Sequence, residues 1–490
     1  MAGLPVNIFQ GRSENFMIFH GNDGWHYNLR EQRPARLRLQ CRHYKGGCRA
    51  TASVDLASET LSHGQPHNHH PDMLLEEDMD LRRHIIHVVK TDIYGTKLRT
   101  ILNQIKFQQS PELSSRFRRV RMQSAMYEAR ASNYPCIPES LIQLGVLLGM
   151  PNTRRLCETV DKQDYIFQGI VGDAQNKTIA LVFVSGRMLQ FLGTVTNIHG
   201  DGTFKKRSRK PKMAQIFNLT TNHGGYVVPV VRVLMLRRHE EAYVCVLSFL
   251  KLLVPNWAPE RVHCDFERAQ MNAFKRVLPM SRIVGCLWHY GAASSLKASK
   301  LGLAPIAEEN DEVKTFIRCI AGLPLLPPDR IWTGLLDIWA EVEEAGWADT
   351  LWPFFKYFES EWKPRIQELS VFESPERTNN IAESDNGSLA SVIPQNRPNI
   401  WHLIGAFVKL EHLAYSDKLA IDRGDAVTAS KKWRAKLNDK RVKRLTGLLN
   451  NGQITVSRFL HESFYVILAA VHYGLHVRNE NDSDSDSDHD

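Results

Sequence analysis

Three carboxylates stand at positions where an α/β core can do chemistry. Asp201 follows an apolar run in "NIHGDGTFKK", Asp265 closes the strand-like "RVHCD", and Glu383 lies one helical turn past paired asparagines in "ERTNNIAES". Acids far apart in sequence, at strand ends and a helix start, can converge on one rim of a sheet. There they repel one another unless cations hold them together. Mg²⁺ or Mn²⁺ suits such a site, being a hard ion that prefers oxygen ligands. Two such ions about 4 Å apart can activate a water or a 3′-hydroxyl and stabilise the leaving oxygen of a phosphodiester. Taken singly, each acid has a plainer reading: a turn residue at 201, a helix N-cap at 265, a solvated helix position at 383. Glu267 is an auxiliary acid, because alternation along an extended chain puts it on the same side as Asp265. His263 and Cys264 read as strand residues only.

A second constellation lies near the N-terminus. Cys41 and Cys48 are followed by "GQPHNHHPD", which holds His67 and His69. Two thiolates and two imidazoles suit a tetrahedral Zn²⁺. A β-unit this small buries little core, so a structural metal makes physical sense. His70 can stand in for His69, and the plainer reading is a His-rich loop beside two ordinary cysteines.

The elements that must position these residues are legible in the period of the apolar positions. Residues 1–75 carry turn residues and alternating stretches such as "ARLRLQCR", which indicate a small β-unit. From 76 to 164 the spacing is helical, and "SRFRRVR" makes part of that stretch very basic. Residues 165–414 read as an α/β domain with a mixed sheet. "YIFQGIVG", "IALVFVS" and "MLQFLGTVTNI" are expected strands, "QIFNLTTNHGGYVVPVVRVLML" is a hairpin turned at "NHGG", and "RVHCD" and "RIVGCLW" are strands alternating with helices. Residues 290–370 are helical, and "NIWHLIGAFVKLEHLAY" keeps a clean apolar face at 400, 403, 407, 410 and 414. Residues 415–478 form a basic helical region, and the acidic "ENDSDSDSDHD" after it is a disordered tail.

Composition sets outer limits. A chain of 490 residues has room for about three domains. Its net charge of +9, despite the acidic tail, favours an anionic partner, with nucleic acid ahead of a membrane or a small-molecule substrate. No stretch reaches the eighteen or so apolar residues of a membrane span. Eight cysteines over this length form no disulfide framework, which points to a reducing compartment, and the charge to a nucleus. Lys205, Lys206, Arg207, Arg209 and Lys210 in "KKRSRKPK", with Lys431, Lys432 and Arg434 in "KKWRAKLNDKRVKRL", are candidate DNA-backbone contacts. The first run could equally be a nuclear signal. The second could be a solvated amphipathic face, given Val442 and Leu445.

From Asp201 to Leu413 the chain resembles the Mutator-like (MULE) transposases. "DGTFK", "VVPVVRVLM", "EEAYVCVLSFL", "CDFERAQMNAF", "GCLWHYGAAS" and "RTNNIAES" carry the resemblance. It implies an RNase H-like catalytic core with a helical insertion at about 290–370, and a DDE triad on Asp201, Asp265 and Glu383. The family's Cys-x-x-His element falls on Cys286 and His289. No second pair at sensible spacing completes a zinc site there, so a structural or positioning role is expected. Upstream, the order Cys, Cys, His-x-His after "GWHYNLRE" resembles the FLYWCH-type zinc finger, with Leu39 where that family has an aromatic residue. Together these imply a nuclear DNA transposase, active in DNA transposition and recombination on transposon ends and target DNA as a dimer or larger. The rivals are a domesticated, non-catalytic DNA-binding regulator of transcription or chromatin, and a different metal-dependent nuclease on the same fold. A C-terminal SWIM finger is frequent in the family, and residues 414–490 hold no cysteine, which suggests a shortened or divergent copy.

Overall fold

The computed structural model describes residues 3–11, 16–92, 96–374, 376–377, 380–393, 395–425 and 433–463, without the side chains of 380–383 and 433–436. The chain divides into two compact units, Met1–Cys136 and Ile137–Asp490.

In the first unit, seven short strands form one antiparallel sheet in the order β1-β7-β6-β5-β4-β3-β2. They are β1 (Leu4–Pro5), β2 (Asn7–Gln10), β3 (Met17–His20), β4 (His26–Arg33), β5 (Arg36–Cys41), β6 (Thr51–Asp55) and β7 (Thr60–His63). The alternation in "RLRLQC" buries Leu37, Leu39 and Cys41 and leaves Arg36 and Arg38 outside, as a sheet with one covered face requires. Leu37 and Leu39 join Phe19, Tyr27, Ala52, Val54 and Leu61 in the sheet's core. Four helices follow: α1 (Leu75–Thr91), α2 (Leu98–Phe107), α3 (Pro111–Arg116) and α4 (Arg119–Ala131). They share an apolar core running from Leu81 to Met126. A smaller cluster of Phe9, Ile18, Leu75 and Met79 fastens α1 to the sheet. The β-unit and the helices after it therefore pack as one body.

The second unit is built on a mixed seven-stranded sheet, order β14-β13-β10-β11-β12-β9-β8. Its strands are β8 (Phe167–Val171), β9 (Ala180–Phe183), β10 (Asn197–Thr203), β11 (Gln215–His223), β12 (Tyr226–Met235), β13 (Arg261–Cys264) and β14 (Arg282–Gly285). β10, β11, β12, β9 and β8 pair antiparallel, whereas β13 runs parallel to β10 and β14 parallel to β13. The hairpin between β11 and β12 turns at Gly224 and Gly225, both at positive φ, which glycine adopts without a Cβ clash. Parallel neighbours need crossovers, and α5 (Glu240–Leu253) and α6 (Arg268–Val277) supply them.

The expected strand "MLQFLGTVTNI" is corrected by the structure. Its first half is a helix, Gly186–Leu192, started by the Ser185 side chain, which accepts a bond from the Met188 N–H. Strand β10 begins only at Asn197 and runs through Asp201 to Thr203, so Asp201 lies within a strand.

Beyond β14 come α7 (Leu287–Lys300) and further helices as far as Leu369, then α8 (Asn380–Val392), α9 (Ile400–Asp422), α10 (Trp433–Asn450) and α11 (Val456–Ser463). Residues 284–371 form a core of their own, which Leu445 and Leu449 of α10 and Phe459 and Leu460 of α11 complete. Phe266, beside Asp265, packs against both this core and the sheet's. Gly285 leaves the Phe266 ring room that any Cβ would take.

Candidate functional site

In the first unit, Cys41 at the end of β5, Cys48 in the following loop, and His67 and His69 beyond β7 converge, with one donor atom from each lying within 4.8 Å of the others. Cys41 Sγ is 3.2 Å from His69 Nε2, Cys48 Sγ is 3.6 Å from His67 Nδ1, and the two ring nitrogens are 3.2 Å apart. A tetrahedron with metal–ligand bonds of about 2.0–2.3 Å has edges of this size. Outer contacts fix the rings. His67 Nε2 meets the Tyr27 hydroxyl at 2.8 Å, that hydroxyl meets His63 Nδ1 at 2.6 Å, and His63 Nε2 meets Asp23 at 2.6 Å. Such a relay, ending on a carboxylate, orients a metal-bound imidazole. Trp25 stacks on His67 at 3.9 Å, and burial lowers His67 to about 4, which keeps its ring neutral and able to ligate. His69 Nδ1 donates to the His70 carbonyl at 2.9 Å, so His70 takes part only through its backbone. Asp23, Tyr27, Trp25 and His63 escape sequence reading, because only the folded sheet brings them beside the loop.

The second unit pairs two of the three acids. β10 and β13 run parallel with Gly200 opposite Cys264, so Asp201 and Asp265 occupy the next positions on neighbouring strands. Burial first, and then the charge of Asp265, raise Asp201 to about 6. Asn386 of α8 donates from Nδ2 to Asp201 Oδ2 at 2.7 Å. Asp265 does not cap α6, since the cap position is Glu267. It forms a 2.8 Å ion pair with His289 Nδ1. Burial opposes charge on that imidazole, but hydrogen bonds to Asp265 and Cys286 outweigh it and raise His289 to about 10.

Cys286 is the N-cap residue of α7 and His289 lies in its first turn. One donor atom each from Asp265, Cys286 and His289 lie within 4.8 Å of one another. Spacing alone offers no partner for Cys286 and His289, whereas the fold supplies Asp265. Glu267 accepts from the Tyr243 hydroxyl at 3.0 Å, and burial raises its carboxyl.

Glu383 lies in the first turn of α8, and its side chain is outside the described residues. Residues three apart share a helical face, so position 383 stands on the side of α8 that presents Asn386. The helix is tied to the sheet by Arg232 of β12. Its guanidinium grips Asp385 at 2.5 and 3.0 Å and donates to Asn218 at 3.1 Å, with the Asp385 side chain fully buried. Asn386, Asp385 and Arg232 are absent from the sequence reading. For Asp385 and Asn386 the one signal is a run of polar residues, "ESDN", inside a helix.

The basic run after β10 divides in two. Lys205, Arg209 and Lys210 are exposed, and Lys210 meets Glu139 at 3.1 Å. Lys206 is buried with its ammonium 3.3 Å from the Gln395 carbonyl, and Arg207 donates to the Ala214 carbonyl, so both cations hold the loop. Lys431, Lys432 and the Arg434 side chain lie outside the described residues. Among those described, no helix is long and apolar enough to cross a membrane.

Fold and site define an α/β domain with a mixed sheet and an acid pair, Asp201 within one strand and Asp265 directly past the end of its parallel neighbour. The family model of the MULE transposase domain matches residues 197–292, a span that includes Asp201, Asp265, Glu267, Cys286 and His289 and stops before Glu383. No curated protein matches the chain.

Proposed function

We propose that this chain is a DNA transposase, or a protein derived from one, that cuts and joins DNA strands in the nucleus with Asp201, Asp265 and Glu383. The observation that carries the reading is the acid pair. Two carboxylates, one on β10 and one directly past the end of β13, the first raised to about 6 by burial and by the other's charge, form a site that a divalent cation relieves. The strand order supports an RNase H-like core, with three antiparallel strands followed by two parallel ones on the far side of the first. So does the transposase-domain match over these strands.

Bound Mg²⁺ or Mn²⁺ would supply activation of the attacking hydroxyl and stabilisation of the leaving oxygen. Asp201 and Asp265 would hold the ions, and Glu383 would complete the set from α8. Asn386 fixes one Asp201 oxygen and so orients the carboxylate. The Cys41, Cys48, His67 and His69 cluster would hold structural Zn²⁺ in a DNA-binding finger of FLYWCH type, and in the second unit Lys205, Arg209 and Lys210 contact the DNA backbone.

Nicking of supercoiled DNA by the full-length protein tests this. Cleavage should require Mg²⁺ or Mn²⁺ and fall at least a thousandfold in Asp265→Asn, and retained cleavage in that variant sinks the reading.

One observation favours a second reading, a domesticated DNA-binding regulator. His289 already supplies Asp265 with a positive partner, the charge a catalytic ion would otherwise bring. In that case DNA binding persists, cleavage is absent with either ion, and Asp265→Asn changes neither.

A further inference from the structure

A buried cluster of a different kind lies beneath the acid pair. The parallel register sets His199 of β10 opposite His263 of β13, and both are almost wholly buried, at 0% and 3% exposure. Their rings stack at 4.4 Å with planes 11° apart. Glu376 comes in from the loop after the insertion helices, its Oε2 3.8 Å from His263 Nε2. These two atoms are shielded from solvent and have no hydrogen-bond partner among the described residues. One nitrogen from each ring and one carboxylate oxygen lie within 4.8 Å of one another.

We propose that His199, His263 and Glu376 bind a divalent transition-metal ion, zinc foremost, at a site separate from the acid pair. A gap of 3.8 Å is too long for a hydrogen bond. It is shorter than the roughly 4.2 Å that two metal–ligand bonds of about 2.1 Å can span. Two imidazoles and a carboxylate are borderline donors that suit zinc and its neighbours and disfavour Mg²⁺. The carboxylate is already held for the task, since Asn222 Nδ2 donates to its other oxygen, Oε1, at 2.7 Å. A buried carboxylate facing imidazoles is costly without a compensating charge, which a divalent ion brings. Binding requires one stacked ring to turn about its Cβ–Cγ bond. Residues two apart on a strand share a face, so the histidines lie one step, roughly 6.6 Å, below Asp201 and Asp265. That is too far to be half of a two-ion catalytic pair, whose members sit about 4 Å apart. The ion would pin the two strands and the loop from which α8 starts.

Zinc content of the full-length protein, after exhaustive dialysis against zinc-free buffer, tests the proposal. Two ions per chain are expected, one in the N-terminal cluster and one here. Glu376→Gln should lose one ion and keep the thiolate absorption of the cobalt-substituted N-terminal site. Cys48→Ser should lose the other ion together with that absorption. In Cys48→Ser, X-ray absorption at the remaining zinc should report two imidazoles and no sulphur, a readout that leaves His263 and Glu376 unaltered. The proposal is overturned by a single zinc that leaves with Cys48→Ser. It is overturned equally by a second zinc that carries a sulphur ligand, survives Glu376→Gln, or disappears in His289→Gln.

Discussion

Asn386 reaches back across 185 residues to hold one oxygen of Asp201 at 2.7 Å. The bond joins a strand of the sheet to the helix whose first turn carries Glu383, and Arg232 clamps the neighbouring Asp385. Within one turn of α8, one residue anchors, the next orients, and a third is proposed to ligate.

Breaking the anchor should be costly. Asp385→Asn leaves the buried Arg232 guanidinium without its counter-charge, a loss of about 3–5 kcal/mol. Chemical denaturation of the second unit measures it. Asn386→Ala removes one charge-assisted bond and should cost about 1.5–3 kcal/mol, with a larger effect on cleavage than on the midpoint of unfolding. Equal losses from the two variants would remove the distinction between anchor and orienting group.

The raised Asp201 carboxyl makes metal-free stability depend on pH in a stated direction. Its value rises from 3.8 to about 6 on folding, so the folded chain holds that proton more tightly than the unfolded chain does. The favourable contribution is complete below 3.8 and is lost as pH rises through 6. The loss is at most about 3 kcal/mol at about 1.4 kcal/mol per unit. Melting in chelator across this window should show the decline, millimolar Mg²⁺ should reverse it, and Asp201→Asn should flatten it. A decline that persists in Asp201→Asn assigns it to another group.

In the first unit, chelation should release the N-terminal cluster. A strong zinc chelator, or Cys48→Ser, removes the tie between β5, the loop after it and the histidine segment, and near-ultraviolet signals from Trp25 and Tyr27 should collapse. Resistance of those signals to complete zinc removal would show that the sheet's apolar core suffices without metal.

The exposed and inward cations after β10 should separate in a salt titration. Lys205→Ala, Arg209→Ala and Lys210→Ala should each lower the slope of log affinity for DNA against log salt by about 1. Lys206→Ala should instead reduce thermal stability and leave the slope unchanged. An altered slope in Lys206→Ala would mean that the loop opens when DNA binds.

Much of the scaffold could be read from local pattern. Alternation in "RLRLQC" marks a half-covered strand, "NHGG" marks the hairpin, and the 400–414 spacing marks the buried face of α9. "MLQFL" misleads because a short apolar run fits a strand or a buried helix equally well, and the Ser185 cap carries the only local distinction. At the site, carboxylates at strand ends are visible in sequence, because chemistry of this kind concentrates there. Their partners are not. Asn386 and Arg232 matter through bonds that span long stretches of chain, and no periodicity encodes them, whereas His289 is visible in the Cys-x-x-His pair and only its bond to Asp265 is not. Lys206 shows the converse, since composition reports a cation and only the fold shows it turned inward.

The helical core between residues 284 and 371 is finished by Leu445, Leu449, Phe459 and Leu460, side chains made far later than the rest. A ribosome therefore releases most of that core with one wall missing, and the nascent chain must keep an apolar trough open until α11 emerges. Premature termination anywhere before residue 459 leaves the trough permanently uncovered. Such products should be cleared by quality control or aggregate, even with every proposed catalytic acid in place.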